Sequence, residues 1–121
     1  MAGAKFEDVR EYVYDNIEYL EWVIDQTFRR YANATIEEVL KAVVRSLVAL
    51  AQVELKWYAI YDTSAFWDVA KSLAKEKWLV NMGHIAHRFR IDWYAREYNG
   101  RVFMVLVLVL DSKMLVAGFF I

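Results

Sequence analysis

Arg88, Arg90, Arg96 and Arg101 are interleaved with Tyr94, Tyr98 and Phe103 in one short stretch of the chain. Guanidinium groups hold phosphates and aromatic rings stack bases at about 1 to 3 kcal/mol each, so this mixture on one surface makes a platform for single-stranded nucleic acid. The competing reading is a wet rim, with the arginines pairing Asp92, Glu97 or acids of a neighbouring subunit and the tyrosines serving as ordinary strand residues. Charge is divided along the chain. Residues 84 to 101 hold those four arginines against Asp92 and Glu97, net +2, whereas residues 5 to 31 hold four basic and seven acidic side chains, net -3, within a total of -1.

Little else carries chemistry. His84 and His87 fall on opposite faces if they lie on a strand, and no third ligand is near in sequence, so neither a metal site nor a cofactor is expected. Ile91-Asp92, a hairpin, and then Asp111-Ser112-Lys113 resemble the Asp and (Asp/Glu)-x-Lys elements of the PD-(D/E)XK nucleases over the last third of the chain, without the Pro. That resemblance implies two acids converging on one metal ion. Hairpin arithmetic instead sets Asp92 opposite Val107 and Asp111 four residues further along, about 14 Å away at ~3.4 Å per residue, which makes a nuclease a remote alternative. Nucleophile-elbow, phosphate-loop, dinucleotide-fingerprint and H-E-x-x-H patterns are missing, and the chain reads as non-enzymatic.

The elements that position these residues start from Asn99-Gly100, a strong hairpin signal between runs rich in β-branched and aromatic residues. With Tyr98 facing Arg101, one face carries Phe89, Ile91, Trp93 and Ala95 beside Met104, Leu106, Leu108 and Leu110. That face belongs on helices. The second face carries Arg88, Arg90, Asp92, Tyr94, Arg96 and Tyr98 beside Arg101, Phe103, Val105, Val107 and Val109. A reversal through Asp111-Ser112-Lys113 is expected to return Leu115, Ala117, Phe119 and Ile121 to this second face, leaving Val116, Gly118 and Phe120 on the helix side. The strand from Val102 to Leu110 is apolar on both sides and must be covered above and below. Val105, Val107, Val109, Leu115, Ala117, Phe119 and Ile121 are therefore the expected homo-oligomer interface: burying ~500 Å² there is worth on the order of 12 kcal/mol before association costs. The rival is a helix of the same chain crossing over that face.

Upstream, Phe6, Val9, Val13, Ile17, Leu20, Ile24, Phe28 and Tyr31 recur at spacings of three and four and predict a first helix over 5–31. Thr35 followed by Glu38 caps a second over 36–51. Alternation over 53–61 predicts a strand, and Thr63 or Ser64 caps a third helix carrying Phe66, Val69, Leu73 and Trp78 and ending at Gly83. The five tryptophans read as core or interface anchors without a ligand. The result is one α+β domain, 1–121, ordered α-α-β-α-β-β-β, with an antiparallel sheet, a C-terminal three-stranded meander and helices mainly on one face.

At 59% hydrophobic residues the chain is too apolar for disorder, and cysteine is missing, which excludes disulfides and thiol chemistry. With no apolar leader after Met1 and no apolar run long enough to span a bilayer, a cytoplasmic location is expected. Sparse Asn and Gln suit a thermophile source, against which the lack of proline counts. The functional expectation is an oligomerising protein that binds single-stranded nucleic acid through Arg88, Arg90, Tyr94, Arg96, Tyr98, Arg101 and Phe103. A purely structural or adaptor subunit is the alternative.

Overall fold

The computed structural model describes residues 6–86 and 89–121. Its first helix, α1 (Phe6–Arg30), buries Val9, Val13, Ile17, Leu20 and Ile24 along one stripe, with Glu7 and Asp8 in the first turn and Arg29 and Arg30 in the last, as the helix dipole favours. Thr35 caps α2 (Ile36–Ala49), its hydroxyl accepting from the Glu38 N–H at 3.2 Å. The chain continues through β1 (Glu54–Asp62), a 3-10 turn (Thr63–Ala65), α3 (Phe66–Ala74), β2 (Val80–Ala86), β3 (Phe89–Tyr98), β4 (Arg101–Leu110) and β5 (Lys113–Phe120). All five strands form one antiparallel sheet in the order β1-β5-β4-β3-β2.

The α+β class holds, with one strand more than the sequence suggests. The third helix stops at Ala74 because the Trp78 indole folds back to donate to the Leu73 carbonyl at 3.0 Å, and Leu79 N–H then bonds the Ala95 carbonyl and draws the chain into β2. Gly83 lies within that strand opposite Asp92, not at a helix end. Asn99 and Gly100 both take positive φ, 52° and 78°, and set the β3–β4 register as expected, from Tyr98 opposite Arg101 to Phe89 opposite Leu110. Ile91, Trp93, Ala95, Met104, Leu106 and Leu108 consequently form one core with α1 and α2. Phe28 stacks on Phe89 with ring centres 4.5 Å apart.

The placement of β5 is reversed. The β4–β5 turn contains only Asp111 and Ser112, with Leu110 opposite Lys113, one residue fewer than expected. A one-residue change flips every side chain on a strand. Leu115, Ala117 and Phe119 thus lie buried beneath α1 and α2, with Ile121 packed at the margin of that core, and not on the second face. Met114, Val116, Gly118 and Phe120 take the second face instead.

That face is also covered from within the chain. Helix α3 crosses it and buries Leu73 against Val105, Val107, Met114 and Val116, flanked by Phe66, Val69, Trp78 and the half-buried Val109. The aliphatic patch on which self-association was expected is consequently not left open: the two long helices cover one side of the sheet and α3 the other. A further irregularity lies in β1, where Lys56 is an extra residue between Leu55, opposite Phe119, and Trp57, opposite Gly118. This bulge breaks the simple alternation and turns Trp57 to the second face while Leu55 and Ile60 pack towards the helices. Among the described residues no helix is long and apolar enough to cross a membrane.

Truncating the two cores should cost different amounts. Leu106→Ala, at the centre of the α1–α2 core, is expected to lower unfolding free energy by about 3 to 5 kcal/mol, and Leu73→Ala, at the thinner α3 layer, by about 2 to 3 kcal/mol, both read from urea denaturation.

Candidate functional site

Because α3 is short, it covers the middle of the second face and leaves the sheet open at its C-terminal end. Two cavities flank that end, and both are lined by Glu76 and Trp78.

The first, of about 480 Å³, lies towards β1 and β5 and is walled by Trp57, Trp78, Tyr98, Phe103 and Phe120, with Lys56, Glu76 and Arg96 as its charged members. Gly118 lies against one of these walls, the Trp57 ring. A Cβ at that position would sit 2.5 Å from the Trp57 ring, so only glycine lets the indole lie flat on β5. Arg96 runs between two rings, its guanidinium 4.9 Å from the centre of Trp78 and 6.0 Å from that of Phe103. Its Nε is buried and, among the described residues, has no hydrogen-bond partner. At the mouth, Arg101 lies over the Phe120 ring at 4.3 Å and Lys56 at 5.7 Å, and both cations pair with Glu54. Lys56 first and Arg101 second hold the Glu54 carboxyl below its ordinary pKa.

The second cavity, of about 470 Å³, lies towards β2 and is more polar, lined by Asn81, Gly83, Arg90, Asp92 and Tyr94 besides Glu76 and Trp78. Arg90 holds Asp92 through Nε at 3.1 Å and Nη2 at 3.4 Å while resting over Phe66 of α3 at 5.4 Å. Tyr94 leans on Trp78, ring centres 5.6 Å apart. Burial, then the neighbouring Asp92 carboxylate, pushes the Tyr94 phenol above its usual value of 10.0, with Arg90 opposing.

The residues expected to bind nucleic acid are therefore on one face but not in one continuous platform. Arg96, Tyr98 and Phe103 line the first cavity, with Arg101 at its mouth; Arg90 and Tyr94 line the second, and Arg88, like His87, lies outside the described residues. Trp57, Trp78, Phe120 and Lys56 are additions that sequence reasoning missed. His84 is exposed on β2, and no group of three or more His, Cys, Asp or Glu side chains suited to a metal ion occurs among the described residues. The acids of the nuclease-like pattern stay apart: Asp92 is opposite Val107 and paired with Arg90, while the carbonyl of Asp111 accepts from the Thr63 hydroxyl at 2.8 Å and Lys113 pairs with Asp62.

Comparison with protein-family models, curated proteins and solved structures finds no match to this chain.

Two measurements test this geometry. Gly118→Ala should displace Trp57, shifting tryptophan emission and costing about 1 to 3 kcal/mol by overpacking. In alkali the unfolded chain loses the Tyr94 proton before the folded protein does, so stability should fall as pH rises from about 10 through the higher folded value; Tyr94→Phe should flatten that part of the stability curve.

Proposed function

We propose that the protein is a non-enzymatic binding module for single-stranded nucleic acid, taking one base into the aromatic cavity beside Arg96. The observation that carries this reading is the Arg96 guanidinium, laid between Trp78 and Phe103 with a buried Nε and no acceptor. A buried guanidinium N–H without an acceptor costs stability, and that cost is offset when a ligand brings a hydrogen-bond acceptor. The rings around it supply stacking surface, which every base can use. Lys56, Arg96 and Arg101 against Glu54 and Glu76 leave a local net charge of +1, with the two outer cations placed at the mouth where a phosphate follows an inserted base. The cavity is within the ~300 to 1,000 Å³ range of small-ligand pockets, large enough for one nucleotide unit but not for a packed duplex.

Trp57 and Trp78 report on the site directly. Titration with an octathymidylate at low salt should quench their fluorescence, and affinity should fall with added salt by about 0.7 log units per neutralised phosphate for each decade of salt. Arg96→Met keeps the apolar stem between the rings and removes the charge; its stability should stay within about 1 kcal/mol of the parent protein while binding drops at least about tenfold. Unchanged affinity in that variant, or equal affinity for free thymidylate and the octamer, refutes the reading, the second result in favour of a small-molecule pocket.

A further inference from the structure

Resting on that reading, we propose that the second cavity is a base-reading subsite for the neighbouring nucleotide and selects bases that carry an exocyclic amine. The two cavities share Glu76 and Trp78, so a strand with one base beside Arg96 crosses the Trp78 ridge and reaches the second cavity with its next unit. The two sites differ in kind. The first offers rings and a cation, whereas the second offers Asp92 and Asn81 on adjacent strands, on the same face of the sheet.

The hydrogen-bond inventory decides what can fit. Asp92 is only 13% exposed and is held by the Arg90 fork, one donor to each oxygen, so its position is fixed and each carboxylate oxygen keeps acceptor capacity. Gly83 stands directly opposite Asp92, and a Cβ there would come within 3.0 Å of Oδ1, so the glycine preserves the space beside that oxygen. A group entering this space meets an acceptor and must donate. Cytosine does so with its N4 amine, the usual base partner of a carboxylate, and presents ring acceptors beside it that the Asn81 amide can meet as donor. Adenine has the same order of amine and ring nitrogen. Uracil and thymine place the O4 carbonyl where the amine would be and turn a lone pair towards the Asp92 carboxylate, which is repulsive. Arg90 acts as a positioning residue: it orients Asp92, and its own stacking on Phe66 ties that orientation to α3.

The test compares octamers of deoxycytidine and deoxyuridine, pyrimidines of equal size that differ in this amine, by tryptophan quenching with the full chain. The deoxycytidine octamer should bind at least about tenfold more tightly. Asp92→Asn should remove that preference by weakening deoxycytidine binding, leaving deoxyuridine affinity within about twofold. Gly83→Ala, which crowds Oδ1 without removing the carboxylate, should do the same, and circular dichroism on both variants checks that the fold is retained. Equal affinity for the two octamers in the parent protein, or a preference that survives in both folded variants, overturns the subsite while leaving the Arg96 site standing. Failure of both octamers to bind overturns both sites.

Discussion

The structure depends on covering a β-sheet that is apolar on both sides. Strand β4 buries Met104, Leu106 and Leu108 on one side and Val105 and Val107 on the other, so two separate layers must shield it. Helices α1 and α2 supply a full layer on the first side. On the second only α3 is available, and nine residues at about 1.5 Å of rise each make a rod of roughly 14 Å, too short for a five-strand sheet nearly 20 Å wide at about 4.8 Å between strands. It protects the aliphatic centre and leaves aromatic and charged side chains to line what remains. The cavities are therefore a consequence of helix length, and their chemistry follows from which residues the second face presents beyond Leu73.

Much of this was legible from local signals. Asn99-Gly100 admits only a narrow set of turns, and that one constraint sets ten cross-strand pairs and puts Arg90, Asp92, Tyr94, Arg96 and Phe103 on a common face. The β4–β5 connection was not legible, because Asp111-Ser112-Lys113 permits a turn of either two or three residues. The actual reversal is settled by Asp111 adopting φ of 52°, which the sequence does not announce, and the choice exchanges Leu115, Ala117 and Phe119 with Met114, Val116, Gly118 and Phe120. Since both sets are apolar, the hydrophobic pattern offered no means of choosing. Strand β2 was hidden for a related reason: Val80–Ala86 is short, carries a glycine, and follows a helical pattern that Trp78 extends by one plausible turn.

The candidate site was only half visible for the same physical reasons. Arg96, Tyr98 and Phe103 come from the hairpin whose register could be derived, whereas Trp57 reaches the cavity through a bulge at Lys56, Phe120 through the shortened turn, and Trp78 by folding back after the helix ends. The first two depend on a one-residue irregularity, the third on where α3 ends. Gly118 was the available clue, since a glycine within an otherwise bulky strand marks a place where something approaches closely, and here that is the Trp57 indole.

Charge placement adds a constraint that neither cavity shows alone. The exposed acids Glu7, Glu11, Asp15 and Glu18 lie on α1, which packs on the opposite side of the sheet from α3, so the near-neutral total charge of -1 conceals two faces of opposite tendency. A polyanion approaching the α1 side meets repulsion, and one approaching the α3 side meets Arg96, Arg101 and Lys56. At physiological ionic strength the screening length is about 8 Å, shorter than the thickness of a helix laid on a sheet, so the acids on the far side do not cancel the cations at the cavity mouth. The field thus favours one orientation of encounter without requiring a strongly basic protein. In the binding mode proposed above, affinity comes chiefly from stacking and from an acceptor for the Arg96 Nε, with long-range charge selecting the face that a strand reaches first.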